Sequence, residues 1–108
     1  METVGGIFRT QREKKGLLLR QVAAFADIDQ AILSKIERSE RKPNKELLYK
    51  LSKILGLDKR DMLIHFVSEK IAYEIAGEKT ASEILKVAET KVRYLKKNGK
   101  GKNAKYQK

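Results

Sequence analysis

The chain has 108 residues, with 25 lysines and arginines against 14 acidic side chains, a net charge of +11, one histidine and no cysteine. That length suits one small core. The missing cysteine excludes a disulfide framework or a thiolate metal site, and the positive excess favours a polyanionic partner. No stretch approaches the ~20 apolar residues of a membrane span, and the opening METVGGIFRTQREKK shows no signal-peptide organisation.

The excess charge is uneven. Residues 1–58 carry 12 basic and 8 acidic groups, residues 59–95 carry 7 and 6, and residues 96–108 carry 6 and none. More than half of the net charge therefore lies in the last stretch.

In chain order the signals are nearly all helical, and strand-like alternation is absent. A first helix is predicted over Val4–Lys15, with Ile7, Phe8 and Gln11 inward and Gly16 ending it. A second is predicted over Leu19–Ala26, where Val22, Ala23 and Ala26 make a small-residue face that another helix can approach closely. Asp27-Ile28-Asp29 forms the turn, with Ile28 as an inward plug and Asp29 as the N-cap of the next helix. That third helix runs from Gln30 to about Ser39, burying Leu33 and Ile36 and exposing Gln30, Ala31, Ser34 and Lys35.

Pro43 falls in a polar loop, and Asn44 opens a fourth helix whose buried face is Leu47, Leu48, Leu51, Ile54 and Leu55 before Gly56 stops it. Asp58 caps a fifth helix reaching about Ala76, where Gly77 breaks it. Thr80 or Ser82 opens a last one to about Lys97, ahead of Asn98-Gly99. The polar, cationic end over 98–108 is expected to be a disordered basic tail.

Two short helices joined by a tight turn form a unit whose second helix can enter the DNA major groove, about 12 Å wide. The exposed set on the third helix is short, polar and positive, as a groove-reading surface requires. Enzyme readings find little. His65, the single histidine, sits in the apolar run Met62–Val67, where a satisfied helix histidine is expected. No cluster has metal-ligand spacing, no glycine-rich phosphate loop is present, and Gly5-Gly6 is too short to carry meaning. The residues point to binding, with no catalytic residue, metal, cofactor or small-molecule ligand implied.

Several motifs together resemble the DNA-binding domain of the lambda-repressor and Cro-like (Xre-type) helix-turn-helix family. They are Arg9 and Arg12 ahead of Lys15-Gly16-Leu17, then Val22-Ala23, the Ile28 plug and Ser34-Lys35-Ile36-Glu37-Arg38. Arg41-Lys42-Pro43 follows, and Leu48, Leu51 and Leu55 precede Gly56. In length the chain is also similar to the controller proteins of restriction–modification systems. The resemblance implies an all-α fold: a five-helix DNA-binding domain over residues 1–65 with a helical extension over 66–97. It implies a sequence-specific regulator or repressor of transcription that binds double-stranded DNA in the cytoplasm of a prokaryote, at the nucleoid.

It also implies roles for individual residues. Gln30 would meet adenine, Lys35 guanine or a phosphate, Ala31 a thymine methyl, and Ser34 a base or a phosphate. Arg20, Gln21, Arg38, Arg41 and Lys42 would contact phosphates. For each of these a solvated side chain is the bland alternative. Arg12 and Glu37 match the family's buried pair. The sequence departs from the pattern twice. Leu19 stands where a glutamine often braces the first glutamine of the third helix, leaving Arg20 or Gln21 to substitute. Asp27 replaces the turn glycine and would have to adopt positive φ.

Beyond that domain, Leu63, Val67, Ile71 and Ile75 recur every fourth residue with Phe66 alongside, and Ile84, Ala88, Val92 and Leu95 form a second stripe. The family's dimerising habit assigns Leu63, Phe66, Val67, Ile71 and Ile75 to a homodimer interface serving a palindromic operator. The last helix either folds back in cis or pairs across the dimer. A different class of function stays open, an antitoxin-like module that grips a partner with the last helix and the basic tail. The tail itself is expected to follow the phosphate backbone through counterion release or to be a solubilising end.

Overall fold

The first five helices are each opened by a local hydrogen bond, and the first four are closed by one. The computed structural model describes residues 2–99. Thr3 begins α1 (Val4–Lys14) by accepting from the Gly6 amide at 3.0 Å. The Leu18 amide, ahead of α2 (Leu19–Ala26), donates to Gln21 Oε1 at 2.8 Å. Asp29 opens α3 (Gln30–Glu37) by accepting from the Ala31 amide at 2.8 Å. Asn44 opens α4 (Lys45–Ile54) by accepting from the Leu47 amide, and Asp58 precedes α5 (Lys59–Ile75), accepting from the Asp61 amide. A sixth helix, α6, spans Ala81–Lys97. Among the described residues there is no strand.

The first four helices end alike. The amide after each left-handed residue reaches back to a carbonyl five residues earlier: Leu17 to Arg12, Ile28 to Ala23, Glu40 to Lys35 and Leu57 to Ser52. This is the Schellman closure, and it needs one residue in the left-handed region. Gly16 and Gly56 supply it without steric cost, whereas Asp27 (φ 57°) and Ser39 (φ 63°) carry a side chain there. The expected positive φ at Asp27 is present. Ser39 is the reason α3 stops at Glu37 rather than running to Ser39, since a left-handed residue cannot continue the helix.

Two compact units are present, Met1–Tyr73 and Glu74–Lys108. The first has a core of Val4, Phe8, Val22, Ala23, Ala26, Leu33, Ile36, Leu48, Leu51, Leu55, Met62 and Phe66. Phe8, Val22 and Leu48 retain no accessible surface, each burial stabilising by roughly 1.5–3 kcal/mol. Gln11 is half-buried and ties α1 to the end of α4, donating to the Leu55 carbonyl at 2.9 Å.

Helix α5 closes this core with Met62 and Phe66, one turn apart. That corrects the assignment of Phe66 to a dimer interface: at 4% exposure it is occupied within its own chain, and Leu63 is partly buried against the same cluster. The apolar residues of α5 therefore divide, Met62 and Phe66 facing inward and Val67 and Ile71 outward. Helix α6 has no buried residue. Leu85, Val87, Val92 and Tyr94 are exposed on it.

Gly5, passed over in the sequence, sits where α1 crosses α3. A Cβ built on it would lie 1.9 Å from the Ile36 carbonyl oxygen. Gly5→Ala should therefore destabilise by about 2 kcal/mol or more, because a backbone atom must yield and the ~1 kcal/mol helix-propensity gain cannot offset it. Gly6→Ala, meeting only the Thr3 hydroxyl at 3.2 Å, should be far milder. Urea unfolding of the two variants checks the difference; equal midpoints would show that α1 and α3 separate freely.

Candidate nucleic-acid interface

The candidate reading helix α3 is held from behind, where Leu33, Ile36 and Glu37 are buried. Arg12 on α1 clamps Glu37 with two parallel bonds, Nε to Oε2 at 2.7 Å and Nη2 to Oε1 at 3.0 Å. Its third donor, Nη1, reaches the Leu17 carbonyl at 2.9 Å. One guanidinium thus joins α1, α3 and the turn before α2. The pair is nearly dry, with side-chain exposures of 13% and 5%. The hydrogen bonds that Arg12 donates to Glu37 outweigh burial and hold its guanidinium above its ordinary value, so it is charged throughout the accessible pH range.

The outward face of α3 presents Gln30, Ala31 and Lys35 as exposed residues, with Ser34 half-buried. Asp29 is occupied as the N-cap, so its carboxylate serves α3 rather than a base. Ser34 Oγ accepts from Arg38 Nη1. Arg38 also donates from Nε and Nη2 to Glu40, at 3.0 and 3.1 Å. That bond lowers the Glu40 carboxyl below its usual range and raises Arg38. Arg38 is thus offset by an acid that a phosphate would have to displace. Arg41 and Lys42 are exposed in the following loop, and the Lys42 ammonium lies 4.8 Å from the centre of the Tyr73 ring.

On α2, Arg20 and Gln21 are both exposed. Gln21 is engaged with the Leu18 amide rather than with Gln30, so it does not replace the missing bracing glutamine. Leu19 lies with Arg9, Arg12, Ser34, Glu37 and Arg38 around a hollow between α1, α2 and α3. Its apolar side chain packs at the core's edge and supplies no donor to Gln30.

Three contributors escaped the sequence reading. Lys50 Nζ donates to the Ala26 carbonyl at 3.1 Å, capping the end of α2. Ser39 Oγ donates to Thr3 Oγ1 at 2.8 Å, and the Val4 amide donates to Glu69, so the start of α1 touches both the loop after α3 and α5. Each spans at least 24 positions, which no local pattern encodes. His65 is half-buried on α5, and among the described residues no group of three His, Cys, Asp or Glu could hold a metal. No helix among them is long and apolar enough to cross a membrane. The expected tail lies, from residue 100 on, outside the described residues.

Removing one partner of the Arg12–Glu37 pair strands the other. Glu37→Ala should cost about 3–5 kcal/mol in urea unfolding, while joint replacement by Arg12→Met and Glu37→Leu should cost much less. A double variant as weak as the single one would mean that the bridge itself, not an unpaired charge, sets the stability.

A family model described as "Helix-turn-helix" matches residues 8–61, half of the chain. Two crystal structures of the clp gene regulator ClgR from Corynebacterium glutamicum are similar to it. One is 30% identical with a TM-score of 0.53, over 61% of this chain and 86% of that one. The other is 26% identical with a TM-score of 0.54, over 79% and 88%. Among curated proteins none matches. With its N-capped α3, its buried Arg12–Glu37 clamp and this match, the chain belongs to the lambda-repressor-like (Xre-type) helix-turn-helix family.

Proposed function

We propose that this DNA-binding transcriptional regulator acts as a homodimer on a palindromic operator, reading bases through Gln30, Ala31, Ser34 and Lys35. What carries the reading is the exposed face of α3: a glutamine, a small residue and a lysine on a helix whose opposite face is locked to α1. Arg20, Arg41 and Lys42 flank it as phosphate contacts, with Arg38 joining if the bond to Glu40 opens. Gln21 accepts from the Leu18 amide through Oε1, which leaves its side-chain N–H donors to face a phosphate. The chain binds and does no chemistry, in the cytoplasm and at the nucleoid. Two-fold operators place half-sites about 34–36 Å apart, or a multiple, which two α3 helices must match.

The homodimer reading is supported by apolar surface that one chain leaves open: Val67 and Ile71 on α5, with the half-buried Ile75 following, and Ile84, Val87 and Val92 on α6. The same α6 residues are what a different protein would cover, the alternative of an antitoxin-like module.

Gln30→Ala should weaken operator binding by about 1–3 kcal/mol and leave random duplexes nearly unaffected. Lys42→Ala should weaken all duplexes alike and reduce the salt slope by ~0.9. Equal losses on operator and random DNA for Gln30→Ala would overturn the placement of the reading surface.

In light scattering at micromolar concentration the intact chain should be a dimer, and Ile71→Lys should make it a folded monomer. An intact chain that is monomeric and binds a hydrophobic dye would favour the partner-binding module instead. Cutting the chain after Lys59 is no test of assembly, because it removes Met62 and Phe66 from the core.

A further inference from the structure

We infer that Tyr73, on α5, is a positioning residue for DNA binding: its ring holds the Lys42 ammonium pointed outward, ready for a phosphate. The inference rests on the phosphate-contact reading of Lys42 given above. The two residues lie 31 positions apart in sequence and meet with Nζ 4.8 Å from the ring centre. They share the wall of a small hollow with Gly5, Ser39, Pro43, Phe66 and Glu69, whose carboxylate accepts from the Val4 amide and forms no ion pair with Lys42.

The backbone around Lys42 is already fixed. On one side Ser39 is locked by its left-handed φ and its bond to Thr3. On the other, Pro43 is buried and has its φ set by the ring. Only the four-carbon stem of Lys42 remains to be ordered, and ordering such a stem at the moment of binding costs affinity. A ring face does this in advance. It attracts the cation through its quadrupole without carrying a countercharge, so the ring itself cancels none of the positive charge offered to the nucleic acid.

The contrast is Arg38, whose guanidinium is held by the Glu40 carboxylate and is locally neutralised. Among the described residues Lys42 forms no ion pair. An ammonium has three donors, and those turned away from the ring remain free.

The test uses the full chain and a short mixed-sequence duplex, since phosphate contacts do not depend on sequence. Affinity is followed across salt concentrations. Tyr73→Leu should weaken binding about 2- to 5-fold, the range of an exposed cation–aromatic contact. The salt slope should stay unchanged, because Lys42 still reaches its phosphate. Tyr73→Phe keeps the ring and should restore the parent affinity. In a Lys42→Ala background Tyr73→Leu should do nothing further, which a general loss of stability would not reproduce.

In proton NMR of the free protein, the Lys42 ε-methylene signals should lie upfield from ring current, and lose that shift in Tyr73→Leu. Losses that add in the double variant, or an unaltered affinity in Tyr73→Leu while Lys42→Ala lowers the slope, overturn the positioning role alone. A salt slope untouched by Lys42→Ala overturns the phosphate contact, and the positioning role falls with it.

Discussion

The approach of α1 to α3 is the constraint on which the remaining architecture depends. Gly5 brings the two backbones so close that no side chain fits between them, and Arg12 reaches across with a two-point clamp on Glu37. Sterics set the distance; the planar guanidinium fork sets rotation and register. A buried ion pair contributes little net stability compared with an apolar replacement. Its value here is geometric, since it fixes which face of α3 is buried and therefore which face is offered outward. Burying Leu33 and Ile36 follows from that choice, and exposing Gln30, Ala31 and Lys35 is its complement.

Both ends of α3 are bounded by left-handed residues that are not glycine. Asp27 sits before the turn and Ser39 after the helix. Each costs on the order of 1–2 kcal/mol of backbone preference relative to a right-handed residue. Neighbouring contacts hold them in place: Lys50 on the Ala26 carbonyl at one end, and the Ser39–Thr3 hydroxyl bond at the other. The helix is thus limited to Gln30–Glu37, short enough for its ends to be oriented by packing rather than by its own length.

Charge is sorted in the same way. Some cations on the surface are matched by acids: Arg9 by Glu13, Arg38 by Glu40 and Arg93 by Glu89. Others rest on aromatic faces, Lys42 on Tyr73, Lys59 on Tyr49 and Lys70 on Phe66. The first group has its field partly cancelled. The second keeps it, and the aliphatic stems of these lysines cover apolar rings that would otherwise face water. A count of basic residues cannot separate the two groups, although they differ in what they offer an anion.

What the sequence determined by itself is local. Capping residues such as Asp29 and Asn44, the glycines at 16 and 56, and the apolar periods of α1 to α4 act within one or two turns, so they could be read directly and placed the helices to within two residues at most ends. The Arg12–Glu37 pair was legible only through family likeness, because the partners are 25 positions apart. Tertiary structure decided the rest. The apolar pattern along α5, a four-residue period with Phe66 beside it, gave no means of telling Phe66, which closes the core, from Ile71, which faces outward. A period reports that a face exists and not what covers it. Gly5, Lys50 and Tyr73 gained their roles from where α3, α2 and the Lys42 loop came to rest. Contacts between segments distant in sequence are fixed only when helices pack, and no spacing within one helix records them.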